Sequence, residues 1–159
     1  GCMEFGGCFL NKRLNRNNDG GTTRRTTDIF QLATTVLFQN PVQNFALAPN
    51  NLKDVSPVCM DYMKTVPTTW DETCFIDGYP GKYVVLARRH GNTWYLAAVN
   101  AGKEIVKLKL DLDMFAGKTV SLYKDDKKGE PQLVTLKVKE SGKVQLEILP
   151  QGGVVLVNN

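Results

Sequence analysis

"KYVVLARRHGNTWYLAAVN", Lys82 to Asn100, decides the fold class. Two runs of strand length flank His90-Gly91-Asn92, a turn sequence. The same rhythm fills the rest of the chain. CFIDG precedes the pair, and EIVKLKLDL, TVSLYKD, QLVTLKVK, KVQLEIL and GVVLVN follow it. Tyr79-Pro80-Gly81, Ala101-Gly102, Lys128-Gly129, Ser141-Gly142 and Gly152-Gly153 separate the runs, and Gly117 marks a further turn. Apolar and polar residues alternate in Leu108/Leu110/Leu112 against Lys107/Lys109/Asp111. The alternation returns in Val134/Leu136/Val138 and in Val144/Leu146/Ile148, one face in and one face out. About eight short strands at this spacing predict an antiparallel β-sandwich over 74–159.

Upstream the period is helical. Gly1 to Gly21 is rich in glycine and asparagine, and NRNNDGG is a turn-forming loop. Thr26 or Thr27 is the expected N-cap of a helix that Asn40-Pro41 stops. Ile29, Ala33, Val36 and Leu37 share one face of it, and Phe30 and Leu32 broaden that face. A second, short helix starts at Ser56-Pro57 and is closed by Pro67. Its stripe is Cys59, Tyr62, Met63 and Val66, the spacing of core packing. Two such helices bury too little to offset an ordering cost of roughly 1–2 kcal/mol per residue. They must pack on the sandwich, on another copy of the chain, or on something outside it. The expected organisation is therefore a loop-and-helix segment, 1–73, ahead of a mainly β domain, 74–159.

Bulk properties exclude several classes. The 159 residues are 42% apolar and 23% charged, normal for a globular protein. A net charge of +4 with interspersed signs leaves no nucleic-acid footprint. No apolar run reaches transmembrane length, so no membrane contact is expected. GCMEFGGCFLNKRL lacks the basic and apolar regions of a signal peptide. Cys2, Cys8, Cys59 and Cys74, with the lone His90, match no zinc spacing and read as free thiols; a Cys2–Cys8 bridge is allowed but not required.

VPTTWDET, Val66 to Thr73, is the most distinctive short stretch. An aromatic platform beside carboxylates suits a sugar, since glycoside hydrolysis needs an acid and a base flanking the bond. Asp71 and Glu72 are adjacent, however, and on an extended chain they point apart. The plainer expectation is that Trp70 fills the junction between helix and sandwich while the acids meet backbone or arginine donors. Arg24-Arg25 and Arg88-Arg89 are two further candidate anion or hydroxyl clamps, or partners of local acids. His90 has no nucleophile beside it and reads as a turn residue. A second function class, a carbohydrate-binding sandwich, would need exposed aromatics, with Trp94, Tyr95, Tyr83 and Tyr123 as candidates.

The order of motifs resembles the C-terminal end of glycoside hydrolase family 97, which contains bacterial α-glucosidases and α-galactosidases. The resemblance rests on Gln31-Leu32-Ala33, on Asn40-Pro41-Val42-Gln43, and on Trp70-Asp71-Glu72-Thr73. It continues in Gly81, Tyr83, Ala87-Arg88-Arg89, Gly91, Trp94-Tyr95 and Asn100. It is strong over about residues 20–100 and fades along the last strands. It implies a parent with an N-terminal β-sandwich, a central (β/α)8 barrel and a C-terminal β domain. The parent would be an exo-acting α-glycosidase, retaining or inverting, periplasmic or secreted, working through two carboxylates and calcium on an oligosaccharide. Residues 1–73 would be the end of the barrel, with 22–41 as its eighth outer helix. The loop FLNKRLNRNNDGG would edge the sugar pocket, because barrel active sites lie in the loops after the strands; Arg13 and Arg16 are the substrate contacts it suggests. MEFGGC departs from the family pattern, and Glu4 is given no role. The family's catalytic carboxylates and calcium-binding glutamates belong to earlier barrel strands, so no catalytic residue and no metal ligand is assigned in this chain. Its own role would be support and oligomerisation, with a second copy as one candidate partner.

Overall fold

The computed structural model describes residues 10–13, 20–47 and 49–158. It is a three-layer arrangement built around one large sheet. The strands are β1 (Glu72–Tyr79), β2 (Tyr83–His90), β3 (Thr93–Asn100), β4 (Val106–Asp111), β5 (Thr119–Asp125), β6 (Pro131–Lys137), β7 (Lys143–Ile148) and β8 (Gly153–Asn158). Six form a sheet in the order β1-β2-β3-β8-β5-β6, and β4 pairs with β7 in a second. Every pairing is antiparallel. The mainly β, eight-strand expectation holds.

Between the sheets lies one core. Leu108 and Leu110 of β4 and Val144, Leu146 and Ile148 of β7 point inward. They meet Val85, Ala87, Leu96, Ala98, Val154 and Leu156 of the large sheet, and Phe115 from a short 3-10 turn closes one end. The outward residues of β4 and β7 carry charge, as in the exposed pair Lys107–Glu147 at 3.8 Å.

The second core lies on the other face of the large sheet, and it answers where the helices go. Helix α1 (Asp28–Leu37) is capped by Thr27, whose Oγ1 accepts from Phe30 N at 3.1 Å. Asp28 sits in the positive first turn, where a carboxylate is favoured. Ile29, Leu32, Ala33 and Val36 are fully buried against Tyr95, Ala97 and Val99 of β3 and Val155 of β8. Helix α2 (Pro57–Met63), capped by Ser56, adds Cys59 and Tyr62. Tyr62 Oη and Thr35 Oγ1 hydrogen-bond at 3.0 Å and join the helices. The helices thus pack on the sandwich itself.

Helix α1 ends at Leu37, three residues before the expected stop at Asn40. Arg88 Nη1 donates to Phe38 O at 2.8 Å and fixes that residue in extended geometry. Helix α2 likewise ends at Met63, ahead of Pro67. A six-residue 3-10 turn, Pro49–Asp54, has no counterpart in the sequence reading.

One glycine decides how close α1 can come. A Cβ on Gly153 would stand 2.8 Å from Phe30 Cα and 2.9 Å from Ile29 O, so helix backbone rests directly on strand backbone. The sequence reading places this residue in the turn and at the head of the run GVVLVN; it opens β8 as that run predicts, and it also seats the helix.

Candidate functional site

WDET folds into a clasp across the β2–β3 turn. Asp71 N donates to Arg89 O at 2.8 Å, and Gly91 N donates to Asp71 Oδ2 at 2.7 Å. Arg89 gathers both acids. Its Nη1 lies 3.6 Å from Asp71 Oδ2, its Nε donates to Glu72 Oε2 at 3.2 Å, and its Nη1 also donates to Gly91 O at 2.8 Å. His90 Nδ1 is 2.9 Å from Thr69 O and holds the other side of the same turn. A glycosidase acid–base pair needs two carboxylates facing one open gap. Here both face one guanidinium, so the clasp orders a turn and transfers no proton.

Beneath the clasp, Trp70 packs edge-on to Tyr95, ring centroids 5.3 Å apart at 74°. Arg88 lies 5.8 Å from the Trp70 ring and is only 4% exposed. Burial pushes its pKa down. Among the described residues it forms no ion pair with a carboxylate; its guanidinium meets the Phe38 carbonyl and the indole face. Trp70 therefore fills the helix–sheet junction as the plainer reading expected. Of the other arginines, Arg24 forms a buried ion pair with Asp28, and Arg25 is exposed. Arg13 is exposed and bridges Thr23 in a single antiparallel contact. Arg16 and Glu4 lie outside the described residues, as do Cys2 and Cys8.

The four aromatics that a sugar platform would need are packed. Tyr95 is buried among the helices, and Trp94 packs on the core between the sheets. Tyr83 joins that same core and donates to Asp77 Oδ2 at 3.2 Å. Tyr123 stacks edge-on with Tyr62, centroids 5.0 Å apart. Trp94 and Tyr95 point to opposite faces, as alternation requires, yet both faces of this sheet are covered.

Asn100, the last residue of the family motif, is fully buried. Its Nδ2 donates to Glu104 O at 2.7 Å and to Leu149 O at 3.1 Å, and its Oδ1 accepts from Gly102 N at 2.8 Å. It ties the loop after β3 to the loop before β8.

Part of the exposed surface is apolar. Phe75 is 68% exposed and Tyr79 60%, both on the edge strand β1. With Pro80, Tyr83, Val84 and Val99 they line a groove of about 350 Å³. A second exposed group, Phe38, Val42, Phe45 and Leu52, follows α1. Sequence patterning missed both, because an apolar residue in an edge strand looks like one in a core. Among the described residues no three His, Cys, Asp or Glu side chains form a metal-binding group. The resemblance assigns the parent's calcium ion to earlier barrel strands.

Comparison with known proteins gives these features a context. Residues 69–157 match the family model described as "Glycosyl-hydrolase 97 C-terminal, oligomerisation". A retaining alpha-galactosidase of Bacteroides thetaiotaomicron is 28% identical over 135 residues, 79% of this chain and 20% of that protein. The crystal structure of a beta-arabinopyranosidase is 84% identical, with a TM-score of 0.96, covering 99% of this chain and 25% of that one. A family 97 glycoside hydrolase variant from a Pseudoalteromonas species is 26% identical with a TM-score of 0.79, covering 100% of this chain and 26% of its own. The chain thus spans between a fifth and about a quarter of the length of these relatives.

Proposed function

The chain belongs to the glycosyl-hydrolase 97 C-terminal family, and from that premise we propose that it is the non-catalytic C-terminal part of a longer glycosidase, which it supports and joins into oligomers. In this reading residues 1–73 are the end of a (β/α)8 barrel, α1 is its eighth outer helix, and Arg13 and Arg16 edge its sugar pocket. Calcium and the catalytic carboxylates belong to the barrel. The observation that carries the reading is the 84% identity over 99% of the chain to a quarter of a beta-arabinopyranosidase. The clasp supports it, because Asp71 and Glu72 are both held by Arg89.

The substrate class follows from stereochemistry. In the L series, a β-arabinopyranoside has the ring hydroxyls and anomeric arrangement of an α-D-galactopyranoside and lacks only C6. A pocket discriminates weakly against one small substituent more or less. Relatives named for arabinopyranosides and for α-galactosides are therefore compatible with one kind of site. We assign the whole protein to galacto-configured glycosides, with retention as in the name of the Bacteroides relative.

The test compares the longest native polypeptide with this chain on nitrophenyl β-L-arabinopyranoside, α-D-galactopyranoside and α-D-glucopyranoside. The long form is expected to cleave the first two and the 159-residue chain none. Turnover by the purified chain would overturn its non-catalytic role. A preference for the glucoside would overturn the sugar assignment.

A further inference from the structure

We propose that the groove beside Phe75 and Tyr79 seats a second copy of this chain, in a two-fold contact between β1 edges. The inference rests on the oligomerisation reading above and names the surface that performs it.

Location comes first. The family model described as an oligomerisation region begins at residue 69. Phe38, Val42, Phe45 and Leu52 lie before it, so their exposed surface is not the one that description covers. Within 69–157 the two most exposed large apolar side chains are Phe75 and Tyr79, and both line the groove. A protruding aromatic beside an apolar groove is self-complementary, which a two-fold interface requires.

The edge itself is shaped for side-chain docking. A β-bulge breaks the register between Phe75 and Asp77, and bulges twist an edge away from continuous strand addition. Gly78 holds the rim tight: a Cβ there would meet Tyr83 O at 3.0 Å and Phe75 Cε2 at 3.3 Å. The Phe75 ring is thereby kept close to β2 and presented at the rim of the groove.

Charge then sets the direction. At one end of β1, Asp71 and Glu72 share the single Arg89, which leaves one negative charge. At the other end Lys82 lies 4.7 Å from the Tyr79 ring. An antiparallel approach brings the acidic end of each copy to the lysine end of the other, and a parallel approach sets like charges together.

Sedimentation equilibrium on the chain tests this, with Phe75→Asp, Phe75→Ser and, on the opposite edge strand, Leu133→Asp. Leu133 is a fair control, since it is 48% exposed on β6. Phe75→Asp is expected to raise the dimer Kd about 100-fold, Phe75→Ser about 10-fold, and Leu133→Asp to change nothing. Circular dichroism should show all three folded, because the Phe75 side chain is mostly in water. Lys82→Glu should weaken the dimer and Glu72→Lys in the same chain should restore it. Dissociation by Leu133→Asp but not by the Phe75 variants would overturn the proposed surface and leave the oligomerisation reading standing. A wild-type chain still monomeric at about 100 μM would overturn that reading itself.

Discussion

The two cores on either side of the large sheet are built differently. Between the sheets, the buried side chains are almost all apolar, with Asn100 and Asn158 as the polar exceptions at the ends of β3 and β8. On the helix side, Ile29, Leu32 and Val36 share their layer with buried Asp28, Thr34, Thr35, Asn40 and Arg88. The first core needs only volume and pattern, which many apolar combinations satisfy. The second depends on particular pairings: Thr35 with Tyr62, Arg88 with the Phe38 carbonyl, Arg24 with Asp28. Apolar filling supplies stability, whereas these pairings fix where each helix lies on the sheet.

Breaking each core in turn should separate them. Phe115→Ala should give the largest effect, about 3–5 kcal/mol, because a fully buried ring leaves a cavity between two sheets that collapse poorly. Urea unfolding followed by tryptophan fluorescence would measure it, and a loss under about 1 kcal/mol would show that the small sheet adds little. Gly153→Ala should cost about 2–3 kcal/mol by the opposite mechanism, overpacking. Its new methyl would meet helix backbone, which cannot rotate aside as a side chain can. Hydrogen exchange should then show protection lost in α1 while β4 and β7 keep theirs. Uniform loss across the chain would mean that the two cores unfold as one.

This contrast also explains what the sequence reveals. Strands β4 and β7 alternate cleanly because one of their faces is wet. Strands β3 and β8 do not: Leu96 to Val99 and Val154 to Leu156 are continuous apolar runs. Such runs signal burial on both faces, and that signal selects the sandwich among the three partners open to the helices. The caps are legible because capping is local: Ser56 directly, and Thr27 as one of two adjacent threonines. That the WDET acids meet arginine and backbone donors is legible too, but the choice of Arg89 is not, since it depends on the register that sets Glu72 opposite Arg89. Nor is the seat at Gly153, where the neighbour is 123 positions earlier in the chain, at Phe30. The six-plus-two division of strands was equally hidden, because turns reveal where strands end and not which sheet they join. The edge groove escaped for a related reason: Phe75 differs from a core phenylalanine only in having no strand outside it.

The smallest expected effect sits where the two regions meet. Asp125, at the end of β5, accepts from Thr27 Oγ1 at 2.9 Å and from Gly153 N at 3.1 Å, so it ties the helix cap to the strand that seats the helix. Burial, which outweighs those two donors, together with the nearby charges of Asp28 and Asp126, pushes its pKa up from 3.8 to about 6. The folded state therefore favours the neutral acid. Its stabilising contribution is complete below about pH 4 and is lost as pH rises through about 6. Partial exposure tempers the size, and about 1 kcal/mol is the expected loss. Asp126 works in the opposite sense, held down by backbone donors, first from Glu130 and then from Lys128, so the raw stability curve mixes the two. Asp125→Asn separates them. The variant keeps an acceptor for Thr27 and Gly153 and carries no charge at any pH. Its stability relative to wild type should climb by about 1 kcal/mol between pH 4 and 6.5 and then level off. A flat difference would mean that water reaches the carboxylate freely and that the junction tolerates its charge. A difference that falls with pH would mean that the two donors outweigh burial, and that the contact between helix cap and sheet is tightened by the ionised form.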